Sequence, residues 1–142
     1  PIMTDLDQAL EALRADYEDP KAQSGFYDLF LNSLFIVPTV DELIDKEDKS
    51  GKEKVEVPLI IVSDETDYLV FFDTTERLFD WAEKEVPFLQ LPGHVLAEMT
   101  TEELHWAMNI GTDYNKQFAP DEIAWLKDVV ERCKAEEDQT RQ

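Results

Sequence analysis

His94 and Glu98 stand four residues apart, the spacing that sets two donors on one helical face, and Glu102, Glu103 and His105 follow closely. Imidazole nitrogen and carboxylate oxygen both bind zinc, but a zinc site draws three or four converging donors, commonly including cysteine or paired histidines. A lone pair fits surface residues near a turn, and no metal is expected. Cys133 is the single cysteine. A thiol becomes a nucleophile when a neighbouring cation or histidine lowers its pKa, whereas Cys133 falls on an apolar stripe and reads as a small buried hydrophobe. No serine sits in G-x-S-x-G, and Gly25, Gly51, Gly93 and Gly111 are too scattered for a phosphate-cradling loop. Catalysis finds no positive support, and no cofactor is expected.

Two polar segments could bind something. DKEDKSGKEK, residues 45–54, resembles a calcium loop until its register is tested: with Gly51 at loop position 6, Lys46 takes position 1 and Val57 position 12, where carboxylates are required. It is expected instead to be a flexible surface loop or hairpin tip. The second segment, MNIGTDYN, gathers Asn109, Thr112, Asp113, Tyr114 and Asn115 around Gly111. Gly111 can supply a positive φ, and Phe118 and Ile123 form a hydrophobic staple about an N-cap at Ala119, so the glycine, Phe118 and Pro120 have structural reasons. The five polar and aromatic residues exceed that need and are the candidate contact surface.

These residues must be positioned by the elements around them. Leu6, Leu10, Leu13 and Tyr17 recur at helical spacing over 3–17, and after the interruption EDPKAQSG, Phe26, Leu29 and Phe30 carry a second helix to about Ser33. LFIVP reads as a short strand ended by Pro38, and 55–63 and 68–73 as two apolar, central strands joined through Asp64 to Asp67. DTTE is read as a capping box with Asp73 as N-cap and Glu76 reaching back, opening a helix over 74–86 that buries Leu78, Trp81 and Ala82. Beyond Pro87 come a strand at FLQL, a short helix at GHVLAEM, and a strand over 104–110 with Leu104, Trp106 and Met108 on one face. A last helix, about 120–136, carries Ile123, Leu126, Val129, Val130 and Cys133 on its stripe. Only QTRQ looks like a frayed end, placed at 138–142.

At 142 residues the chain fits one domain, and chains near this size bury roughly 70% of their unfolded surface without staples. Its 33 acidic and 13 basic residues give a formal net charge of −20, which argues against phosphate backbones and anionic lipid as partners. The acids are spread evenly, 12 in residues 1–50, 11 in 51–100 and 10 in 101–142, so they form no acidic tail. No apolar run approaches the roughly 20 residues of a membrane span. With no secretory pattern at PIMTDLDQALEAL and no possible intrachain disulfide, a cytoplasmic location is expected.

With the segments placed, FFDTTERLFDW and MNIGTDYNKQFAPDEIAWL resemble the two most recognisable stretches of the bacterial SseB N-terminal domain family. Phe72, Thr74, Glu76, Leu78 and Trp81 match the first. Asn109, Gly111, Phe118, Pro120, Glu122 and Ile123 match the second, with Ile110 where the family usually has proline. The resemblance covers about residues 20–130 and implies an α/β sandwich-like domain; the family brings no agreed catalytic residues.

The expected fold is therefore α/β (α+β): a single SseB-like domain over 1–142, core about 20–136, with a mixed sheet of about five strands packed with helices. The expected function is a non-catalytic, acidic, cytoplasmic protein-interaction domain whose partner is a protein, possible partners including basic ones. Two alternatives stand beside it: a small-molecule-binding or enzymatic domain with a site near residues 105–115, and an immunity or mimic protein that neutralises a basic partner. Because −20 on one small body costs self-repulsion, sodium chloride should raise the melting midpoint between low ionic strength and about 0.15 M, where the Debye length falls to about 8 Å. A flat or falling midpoint would show that the charges already pair locally.

Overall fold

The computed structural model describes residues 3–101 and 103–140. Among them the chain forms five helices and seven strands: α1 (Asp5–Ala15), α2 (Pro20–Asn32), β1 (Leu34–Asp45), β2 (Lys52–Pro58), β3 (Ile60–Ser63), β4 (Thr66–Phe71), α3 (Thr75–Ala82), β5 (Phe88–Pro92), α4 (Gly93–Met99), β6 (His105–Met108), β7 (Lys116–Phe118) and α5 (Pro120–Thr140). The mixed α/β class holds. The strands divide into two sheets, ordered β2-β1-β5 and β3-β4-β6-β7, with β4 and β6 parallel and the other pairs antiparallel. A single bridge joins the sheets, where Ile36 and Phe72 exchange backbone hydrogen bonds of 2.7 and 2.9 Å.

The apolar runs LFIV and LVFF explain this join. Strands buried on both faces need no polar alternation. Phe35, Val37, Leu69 and Phe71 point into a large core with Trp106, Met108 and Phe118, closed by Leu10, Phe26, Phe30, Leu96 and Leu126 from α1, α2, α4 and α5. Ile36, Val70 and Phe72 point the other way, into a smaller cluster closed by Leu78 of α3.

Several boundaries differ from the sequence reading. Helix α1 starts at Asp5 with Thr4 as N-cap and ends at Ala15, so Tyr17 lies beyond it and is exposed. Proline does not delay α2: Asp19 caps it and Pro20 takes its first turn, where a missing N–H costs nothing. Pro38 does not end β1, because it sits where the strand changes neighbours; Leu34 to Pro38 pair with β5 and Thr39 to Asp45 with β2. The run 55–63 breaks at Leu59, just after Pro58, since β2 serves one sheet and β3 the other. Far from being central, β3 is an edge strand with Ile60 and Val62 exposed. Thr74, rather than Asp73, caps α3, accepting from Arg77 N–H, and the helix closes early on Glu83 in the left-handed region. Residues 46–51 form the tip of the β1–β2 hairpin. Helix α5 runs on through 138–140, and the rest of the expected frayed end, 141–142, lies outside the described residues. Among the described residues, no helix is long and apolar enough to cross a membrane.

Gly93 shows how closely α4 meets α2. A Cβ there would lie 2.1 Å from Phe30 O and 2.9 Å from Phe30 C, both backbone atoms that cannot rotate away. Overpacking a core commonly costs about 1–3 kcal/mol, and here the backbone itself must move. Gly93→Ala should therefore lower stability in urea unfolding by at least about 3 kcal/mol. A loss under about 1 kcal/mol would mean that the two helices are not held this close.

Candidate functional site

The 109–115 segment begins where β6 ends. Asn109 is fully buried with φ 53°, a left-handed conformation that asparagine tolerates better than most residues. Its N–H donates to Phe71 O at 2.9 Å, its Oδ1 accepts from Asp73 N–H at 3.0 Å, and its carbonyl accepts from Thr112 N–H and Oγ1. Thr112 in turn accepts from Tyr114 N–H on its hydroxyl and from Asn115 Nδ2 on its carbonyl. Gly111 has φ 85°, the positive value expected of it. The segment is thus an internally bonded turn tied to the end of β4.

It is also tied to α1. Arg14 donates to the carbonyls of Asp113 at 2.8 Å and Asn115 at 2.6 Å, and Tyr114 Oη donates to Glu11. Burial and the nearby Glu11 carboxylate raise the Tyr114 pKa. The guanidinium of Arg77 lies over the Tyr114 ring, 5.6 Å from its centroid. Of the five candidate residues, the Asp113 side chain faces solvent, Tyr114 is half-buried, and Asn109, Thr112 and Asn115 hold the turn together.

Arg77 belongs to a cluster that reading the sequence missed. Its Nη2 meets Asp7 Oδ2 at 2.6 Å and its Nη1 meets Asp73 Oδ1 at 2.7 Å, with side-chain exposures of 13% for Arg77, 1% for Asp7 and 7% for Asp73. Thr4 N–H donates to Asp7, and Thr4 Oγ1 donates to Asp73 Oδ2 at 2.8 Å. Burial pushes the Asp7 carboxyl up, but the Arg77 hydrogen bonds, the Thr4 N–H and the Arg77 charge outweigh it and hold the group below its ordinary value. The same Asp7 bonds raise the Arg77 pKa. The signal for half of this was present: T-x-x-D at Thr4 to Asp7 is the capping pattern, and both of its reciprocal bonds form. The tie from Asp7 to Arg77, 70 positions away, has no local signal.

The remaining candidates disperse. His94 Nδ1 is 3.9 Å from Glu98 Oε1, and the same oxygen meets Lys134 Nζ at 2.7 Å. Lys134 holds the Glu98 carboxyl below its usual range. Among the described residues, no group of three or more histidine, cysteine, aspartate or glutamate side chains is placed to hold a metal; Glu102 lies outside them. His105 opens β6 beside Tyr68, while Asn109 follows its end. Four residues of strand, about 13 Å, separate the two. Cys133 is exposed, contrary to the buried position expected, because the stripe it continues is covered only as far as Val130 and Cys133 falls on the wall of an open hollow facing α2.

Both flanks of α5 are concave. Between α4 and α5 a cleft of about 690 Å³ is lined by Glu98, Glu103, Asp121, Asp128 and Glu131, with Lys127 the cation among its lining residues. Between α2 and α5, adjoining hollows of about 370 and 170 Å³ share Asp28, Leu31 and Val129. Trp125, 47% exposed, stands at the second hollow. Tyr27 meets its ring edge-on at 5.0 Å and donates to Glu122, which also pairs with Lys116 at 3.1 Å. Burial, then the Glu122 bond, raises the Tyr27 pKa. Trp125 is therefore an exposed aromatic on a rigid support.

Replacing Arg77 by methionine should leave two buried carboxylates without their cation, and breaking such a pair costs about 3–5 kcal/mol at neutral pH. The sign with pH separates the proteins. In the wild type the depressed Asp7 pKa stabilises the fold above the unfolded value of 3.8, and this is lost as pH falls through the folded value. In Arg77→Met, burial without the cation raises the Asp7 carboxyl pKa, so stability should rise as pH falls from 7 towards about 5. Urea unfolding at several pH values reads this; parallel profiles would exclude a coupled network.

The model of the SseB protein N-terminal domain family matches residues 6–125. No curated protein and no solved structure matches the chain.

Proposed function

The chain belongs to the SseB N-terminal domain family, and on that premise we propose that it is a non-catalytic protein-interaction domain whose α2–α5 groove takes a basic, amphipathic segment of a partner protein. The observation that carries this reading is Trp125. Single exposed hydrophobic residues are ordinary on protein surfaces. Trp125 differs because it is already held, edge-on against Tyr27 and beside the apolar walls of Leu31 and Val129. A pre-positioned tryptophan loses little freedom on binding, which is why such residues carry a large share of interface energy.

Charge sets the partner's chemistry. Asp28 and Glu137 line the groove, where Lys134 is paired with Glu98, and five carboxylates line the cleft on the opposite flank of α5. An incoming segment with lysines or arginines flanking its apolar face gains on both sides, and the net −20 speeds its encounter while disfavouring nucleic acid and anionic membrane. A cytoplasmic setting belongs to the same proposal and rests on the single cysteine and its inability to form an intrachain disulfide. The acid-lined cleft also favours a second reading, an immunity or mimic protein that neutralises a basic partner. The small-molecule reading around residues 105–115 has less support, since β6 keeps His105 and Asn109 at opposite ends.

The 109–115 loop enters the proposal as an additional contact area through Asp113 and Tyr114. Immobilised wild type, Trp125→Ala and Tyr114→Ala should be compared for capture of proteins from the source cells, with each captured protein quantified. Trp125→Ala should retain the main partner at least about fivefold less well, the loss of roughly 1 kcal/mol common at interface centres. Equal retention by Trp125→Ala, or a captured partner with an acidic contact surface, would sink the groove reading. A loss with Tyr114→Ala at an unchanged melting midpoint adds the loop to the surface, and full retention removes it.

A further inference from the structure

The distal part of the β1–β2 hairpin is an arm with its far edge open. From Val40 to Asp45 every β1 residue is exposed, as are Lys52, Glu53, Lys54 and Glu56 of β2. Two strands alone are marginal in water, and among the described residues no strand pairs with the outer side of β2. We propose that this edge is a self-association site: β2 pairs antiparallel with β2 of a second copy about a two-fold axis at Val55.

Backbone geometry selects which residues can bond outward. Leu59 N–H donates to Pro38 O and Lys46 N–H to Gly51 O, so in this register the residues of β2 that bond β1 are odd-numbered. Lys52, Lys54 and Glu56 therefore turn their N–H and C=O groups to the open edge. A symmetric antiparallel partner must match even-numbered residues to even-numbered residues. Centring the axis on Lys54 opposes two lysines, and centring it on Glu56 opposes two glutamates. Centring it on Val55 sets Lys54 opposite the second copy's Glu56, twice, and brings the two Val55 side chains together at a close, non-hydrogen-bonded pair.

The arm also carries a charge conflict that this pairing relieves. Within one chain Glu56 lies directly across from Asp41, a like-charge pair that destabilises a sheet, and Lys54 offsets it only through a solvent-exposed contact with Asp41 at 3.9 Å. The second copy's Lys54 would stand on the other side of Glu56, extending the row with a cation. Lysines on an edge strand ordinarily discourage pairing. Here the alternation Lys54, Val55, Glu56 repels most strands and complements its own reverse. On the opposite face the two Val55 side chains would meet across the axis, covering apolar groups now partly open to water, and each Val57 would lie opposite the second copy's Glu53.

Charge reversal tests both the association and its register, using the full chain in about 0.15 M salt so that general repulsion is screened. Sedimentation equilibrium should show a concentration-dependent dimer for the wild type. Lys54→Glu and Glu56→Lys should each weaken it at least tenfold, because each opposes two like pairs. Mixing the two variants should restore dimer, since every opposed pair is then of opposite sign. Circular dichroism melts of both variants check folding, and positions 54 and 56 lie outside both core clusters. A wild type monomeric throughout, single variants that associate as well as the wild type, or a mixture that stays monomeric would each overturn the proposal.

Discussion

One buried guanidinium ties together polar groups that lie far apart along the chain. Arg77 lies in the first turn of α3, Asp7 lies in the first turn of α1, and Asp73 stands between β4 and α3. Taking two carboxylates out of water in a chain already at −20 is tolerable only when a cation and several donors meet them, and here Arg77, Thr4 and the capped α1 backbone do so. The same Asp73 offers its N–H to Asn109, so the arrangement of the 109–115 turn follows from the ion cluster. The polar residues of that turn are first of all the means by which β4, β6 and α1 are locked in register.

The core supplies the apolar burial, and it is largely aromatic. Phe30 packs within 4.7–6.2 Å of Phe26, Phe35, Phe71, Trp106 and Phe118, at the centre of the layer between helices and strands. Such rings bring large buried area with few rotatable bonds. The cluster reaches the surface along a continuous path, from Phe118 to Phe26, then Tyr27, then Trp125. The exposed tryptophan is thus the outer member of the core's own packing, which gives it rigidity that an isolated surface aromatic lacks.

The two open surfaces differ in physical kind. The groove beside Trp125 is a hollow with apolar walls at Leu31, Val129 and Val130 and with Asp28, Lys134 and Glu137 at its rim. The hairpin arm offers unpaired backbone, whose specificity must come from the order of charges along one strand. They lie on different elements, α2 with α5 against β1 with β2.

The sequence by itself determined the α/β class, the family likeness, the staple at Phe118 and Ile123, the positive φ of Gly111 and the burial of Leu10, Phe30, Trp106 and Leu126, because each follows from local periodicity or a local backbone need. It could not tell that 55–63 is two strands serving two sheets, since both halves are equally β-forming. Nor could it tell that Cys133 is exposed, since a helical stripe continues whether or not anything covers it. The polar excess at 109–115 was visible, but its partners Arg14, Arg77 and Asp73 were not. Those bonds join positions up to 101 residues apart. Only the folded chain decides them, because a charge finds its partner by distance in space, and distance along the chain carries almost no information about it.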